Sequence, residues 1–163
     1  MSLAFLMAVT FTARGQAQEP SSVVLLSGQW FHTDIMGLEA GGLAVRTKGQ
    51  AGLIPLKDVA VIQFDAAAAR VMTPVDAAAI KPCSTDDGQW AITKPGEHIL
   101  WLVNQKLESR EVRGQLSAIS GASPLNITFT TSSGARQFSS NEIVRIILER
   151  PAKDTCSSPR QPE

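Results

Sequence analysis

One strand-and-turn pattern occurs twice along this chain, and a pattern that returns at a fixed distance restricts the fold to repeated small units or to a sheet built in two halves. Leu43-Ala44-Val45-Arg46-Thr47, a Gly-rich break and the stretch from Leu53 to Phe64 return 84 residues later. There they stand as Ile127-Thr128-Phe129-Thr130-Thr131, a Ser-Ser-Gly break and the stretch from Phe138 to Leu148. Apolar meets apolar at 43 and 127, 45 and 129, 54 and 138, 59 and 143, 62 and 146, and 64 and 148. Thr47 meets Thr131, and the acidic Asp58 meets Glu142. The front halves match with a different offset, Val24 to Gln29 against Leu100 to Gln105. The second copy is longer by an insertion around Ser120-Gly121-Ala122-Ser123-Pro124.

Each copy reads as a meander of four or five short strands. Apolar and polar residues alternate in Leu116-Ser117-Ala118-Ile119 and Ile127-Thr128-Phe129-Thr130, the sign of a half-buried strand. Gly28, Gly41-Gly42, Gly49, Gly52, Gly121 and Gly134 supply the breaks. Pro55 falls between two strand-like stretches, where an edge position or a bulge tolerates a residue without an N–H. So few strands make no large sheet, and curling into a small barrel removes exposed edges.

The run Thr47-x-Gly49 through Ile54-Pro55, then Asp58-Val59-x-x-Ile62, resembles the small SH3-like or Sm-like barrels found as tandem copies in secreted bacterial proteins of unknown function. The resemblance covers about residues 23–65 and 98–149 and implies an all-β fold of two tandem small barrels. The base-gripping signature of RNA-binding Sm proteins is absent, so RNA binding does not carry over. The expected organisation is a signal peptide at 1–17, a first barrel at 18–65, a linker at 66–97 and a second barrel at 98–150, with a mobile tail at 151–163. In the linker the Ala66–Ala69 run favours helix, and Pro74 and Pro82 limit it to about two turns.

The leader rests on an apolar stretch from Leu3 to about Ala13, followed by Gly15 and Ala17 at alternate small positions. It is shorter than the roughly 20 apolar residues that span a bilayer. Cleavage after Ala17 and a periplasmic or extracellular location are expected, with no membrane span in the mature chain. Of 163 residues, 44% are hydrophobic and 18% charged, enough for a core. The formal net charge is zero and no basic run occurs, which argues against a nucleic-acid partner. In an exported chain the two cysteines, Cys83 and Cys156, are an expected disulfide. It would close a loop of about 70 residues, worth up to about 4 kcal/mol in the chain-entropy picture.

No motif commits the chain to catalysis. His32 and Asp34 share a strand face and offer a base or half of a metal site, but metal sites take three or four ligands and the second histidine, His98, is far off in sequence. Asp86-Asp87-Gly88 begins like a calcium loop without its later acidic ligands and reads as a turn. No Gly-x-Ser-x-Gly elbow or Gly-rich strand-to-helix loop is present. No metal and no cofactor is expected. Trp30, Phe31 and Trp101 are the candidate stacking residues for a glycan or peptide, with Trp90 a further aromatic. Adjacent strand residues face opposite ways, so one of Trp30 and Phe31 points outward if the other packs the core. Arg113 and Arg145 mark either an ion-pair site or a wet face in the second copy. The expectation is a non-enzymatic interaction or scaffold protein of the bacterial envelope, whose partner is an unknown protein or envelope component. A glycan- or peptide-binding module is the alternative, and an enzyme using His32 and Asp34 stands third.

Overall fold

The computed structural model describes residues 19–71 and 96–148. The leader, most of the linker with Trp90 and Asp86-Asp87-Gly88, both cysteines of the expected disulfide, and the tail lie outside the described residues. The fold is all-β. Its strands are β1 (Glu19–Leu25), β2 (Trp30–Glu39), β3 (Gly42–Thr47), β4 (Gln50–Pro55), β5 (Val59–Phe64), β6 (His98–Val103), β7 (Ser109–Ser120), β8 (Asn126–Thr131), β9 (Gly134–Ser139) and β10 (Ile143–Ile147). A single helical turn, α1 (Asp65–Ala68), follows β5 within the Ala-rich run. No helix of the described residues is long and apolar enough to cross a membrane.

The ten strands of the described residues join one curled antiparallel sheet in the order β4-β3-β2-β1-β5-β10-β6-β7-β8-β9. Its middle is the β5–β10 pair, where Ile62 lies opposite Ile146, flanked by Gln63 opposite Arg145 and Val61 opposite Ile147. The residue ranges expected to form separate barrels thus meet strand to strand. The order outward from this seam is the same on both sides: first and second strand, then third and fourth, of each half.

Two long strands bend the sheet. β2 pairs with β1 through Trp30 to Ile35 and with β3 through Asp34 to Glu39, with a register shift between Ile35 and Gly37. β7 pairs with β6 through Ser109 to Gly114 and with β8 through Gln115 to Ser120, with a shift between Leu116 and Ala118. Such bulges increase local twist and bend a strand, which is how one sheet covers both sides of a core. The bends bring β2 and β7 against each other. The main apolar cluster accordingly draws on both halves, with Val23, Ile35, Leu43, Ile62 and Phe64 packed among Leu100, Ile119, Ile127, Phe129 and Ile146.

The central strands are covered on both faces. Val24, Ala60, Val61, Ile99 and Ile147 form a second buried cluster on the opposite side of the sheet from the main core. Ala67 and Ala68 of α1 pack with Val103 and Val144. The front-half alignment changes by one residue as a result. Val23 is opposite Ile62 and Leu100 is opposite Ile146, so Leu100 takes the place of Val23 rather than that of Val24. Strands buried on both faces carry no alternation, and nothing in their sequence fixes the phase. Gly52 is no break but lies inside β4, and Pro55 ends that strand at the sheet's edge.

Candidate functional site

Strand register sets two parallel rows across the second face of the sheet. One row is apolar: Trp30, Val24, Val61, Ile147 and Ile99, each opposite the next. The adjacent row is polar: His32, Ser22, Gln63, Arg145 and Trp101. Ser22 is 1% exposed, Gln63 0% and Arg145 6%, so this row must satisfy its polar atoms internally. Arg145 Nε donates to Gln63 Oε1 at 2.8 Å, and Gln63 Nε2 donates to Asp65 Oδ1 at 3.3 Å. The Gln63 amide therefore links a buried guanidinium to a carboxylate at the start of α1. The Arg145 guanidinium also lies 5.7 Å from the centre of the Trp101 ring, a cation–π distance.

At the other end Ser22 Oγ donates to Asp65 Oδ1 at 3.0 Å and sits 2.9 Å from His32 Nδ1. As a carboxylate Asp65 only accepts, so the hydroxyl proton is spent on it and His32 Nδ1 donates to Ser22 Oγ. His32 Nδ1 is also 3.5 Å from Asp65 Oδ2. Serine, histidine and aspartate meet here in an order unlike that of a nucleophilic relay, in which the base takes the hydroxyl proton. Here the hydroxyl proton stays on the serine and points to the carboxylate, and Ser22 is buried. The carboxylate that meets His32 is Asp65, from a different strand connection, and not the neighbouring Asp34. The His32 side chain is 57% exposed, and its ring meets Trp30 edge to face at 5.2 Å.

The three aromatic candidates do not come together. Trp30 packs on the second-face cluster, whereas Phe31 packs on the main core. Trp101 shares the face of Trp30, but β1, β5 and β10 separate their strands, and it packs beside α1. A cleft of about 490 Å³ beside the β6–β7 turn, lined by residues that include Asn104, Glu108, Arg110 and Phe138, contains none of them. Arg113 pairs with Glu97 at 3.0 Å in solvent, so the two arginines have different roles. Among the described residues, no group of three or more His, Cys, Asp or Glu is placed to hold a metal ion. Sequence reasoning singled out Arg145 but not Ser22 or Gln63, although Gln63 carried a signal as the one polar residue in the apolar run Val59–Phe64.

His98 has a separate structural role. Its Nδ1 accepts the Leu116 N–H at 2.9 Å, which places the ring hydrogen on Nε2. Burial holds its pKa below the ordinary imidazole value. The neutral ring thus favours the folded state, and its contribution is present above about pH 6.5 and lost as pH falls through the folded-state pKa. The melting temperature of the wild type should fall more steeply than that of His98→Gln between about pH 7 and pH 5. The glutamine oxygen can accept the same N–H without titrating. Parallel pH profiles would refute this role for the ring.

The remaining feature is the sheet's two ends. The β3–β4 ladder continues into a bond from Leu56 N–H to Gly41 C=O at 3.0 Å, and the β8–β9 ladder into one from Ser140 N–H to Leu125 C=O at 2.9 Å. Backbone groups in an antiparallel ladder turn inward and outward at alternate residues. Counting back from those bonds, Ala51, Leu53 and Pro55 of β4 turn their backbone outward, as do Ala135, Gln137 and Ser139 of β9. Among the described residues no strand lies on the outer side of either. The two edges differ in chemistry: Pro55 has no N–H to offer, whereas β9 has no proline.

In comparisons with known proteins, no protein-family model, no curated protein and no solved structure matches this chain.

Proposed function

We propose that this chain is an exported, non-enzymatic interaction module of the bacterial cell envelope, which engages an extended segment of a protein partner by strand addition at β9. One observation carries the reading: β9 ends the sheet with Ala135, Gln137 and Ser139 turned outward, and its Gly134 to Gln137 stretch is exposed. Main-chain groups in such a row bond an incoming strand of almost any sequence, while alternate side chains supply selectivity. Proline is one device that blunts an exposed edge, and β4 carries it at Pro55 while β9 has none. The apolar leader supports the periplasmic or extracellular location. The matching strand order on either side of the β5–β10 seam supports the likeness to two fused SH3-like or Sm-like barrels.

Affinity capture from envelope extract with the tagged protein, combined with amide hydrogen exchange on the retained complex, tests the reading. Binding should slow exchange at Ala135, Gln137 and Ser139. Gln137→Pro removes an outward N–H without touching a bond to β8 and should weaken capture by on the order of tenfold or more. Leu53→Pro, made in the same way at the other edge, should leave capture intact. Equal capture by Gln137→Pro, with unchanged exchange along β9, would overturn the proposal.

A further inference from the structure

We infer that the segment received by β9 is β9 of a second copy of this chain, giving a two-fold symmetric dimer in which the two sheets run on as one. The inference rests on the reading of β9 as a docking edge and names its partner. Edge strands pair through outward-turned residues, so Ala135, Gln137 and Ser139 must face the same set on the partner strand. An antiparallel register with Gln137 opposite Gln137 of the second copy sets Ala135 opposite Ser139, and every outward donor and acceptor of both strands finds a partner. In the same register Arg136 falls opposite Phe138 of the other copy, twice by symmetry. Within one copy the Arg136 guanidinium already lies 5.4 Å from the Phe138 ring centre, so the paired strands extend a cation–π contact that the strand makes by itself.

Neighbouring registers are worse. Setting Ala135 opposite Gln137 brings Arg136 directly onto Arg136, and like charges opposite each other destabilise a pair. Setting Gln137 opposite Ser139 leaves the Ala135 end without a partner. Pairing through β4 also loses: at Pro55 any second strand meets an acceptor without its donor. A β9–β9 contact uses the same patch on both copies, so it closes as a dimer and does not propagate into a filament.

Sedimentation and light scattering of the full chain over a concentration series test this directly. The mass should rise from that of the 17.4 kDa monomer toward twice that value, and exchange at Ala135, Gln137 and Ser139 should slow over the same range. Gln137→Pro should remain monomeric with an unchanged circular dichroism spectrum, while Leu53→Pro should dimerise as the wild type does. A wild type that is monomeric throughout overturns the inference. In that case, protection of the β9 amides by an extract protein would keep the edge as a docking site for another partner, and absence of such protection would remove both proposals. A dimer whose β9 amides stay unprotected also overturns it.

Discussion

Gly114→Ala is expected to cost about 3 kcal/mol or more, which in a domain of this size lowers the melting temperature by about 10 °C. At Gly114 β7 leaves its pairing with β6, opposite His98, and at Gln115 it begins its pairing with β8, opposite Thr130. The strand bends so tightly there that β8 passes directly over the glycine. A Cβ at this site would run into the Thr130 carbonyl oxygen, and would lie 3.0 Å from its carbonyl carbon and 3.1 Å from Phe129 Cε1. The obstruction is backbone, which no rotamer change relieves, and Phe129 is fully buried in the main core. Only a shift of β8 makes room, at the expense of the core packing beneath it. Gly52→Ala is the control: its Cβ would find only Val45 Cγ2, at 3.9 Å, and should change stability by no more than about 0.5 kcal/mol. Thermal melts of the two variants check the contrast, and a Gly114→Ala protein as stable as Gly52→Ala would contradict this account of the bend.

Whether a strand was legible in the sequence depends on how many of its faces are buried. β8 packs Ile127 and Phe129 inward between exposed Asn126 and Thr130, and its alternation gives both the strand and its phase. β5 is buried along its whole length, from Val59 to Phe64, so its residues identify a strand and leave its facing open. The same holds for β1 and β6, where Val23-Val24 and Ile99-Leu100 are all apolar and a one-residue slip costs nothing in the pattern. Pro55 was readable as an edge residue because its missing N–H restricts it chemically.

The polar row was less legible, because its members are brought together by pairings between distant segments. Sequence proximity joins His32 to Asp34, but the β1–β2 and β1–β5 pairings bring His32 to Ser22 and both to Asp65. Arg145 was open to two readings, ion pair or wet face, and the structure gives a third: a buried guanidinium bonded to the Gln63 amide beneath Trp101. That arrangement depends on the seam between the halves, and neither half alone contains it. The contrast between β4 and β9 was hidden for a related reason, since an edge is defined by which strands lie beside it.

The seam makes the second large prediction. Ile62 and Ile146 lie opposite each other at its centre, both fully buried in a core to which both halves contribute. Ile62→Ala and Ile146→Ala should each cost about 2–5 kcal/mol, as buried aliphatic truncations do. That is a large fraction of the roughly 5–15 kcal/mol that holds a typical domain together. If each half carried its own core, Ile146→Ala would speed hydrogen exchange in β8 and leave β3 alone. With the shared core, the amides of Val45 in β3 and Phe129 in β8 should lose protection together in either variant. The double variant should depart from additivity by about 0.5–3 kcal/mol, because the two side chains line one space and the second truncation meets a site already loosened. Protection lost only in the half that carries the substitution, with strictly additive costs, would mean that the β5–β10 pairing joins two cores that fold separately.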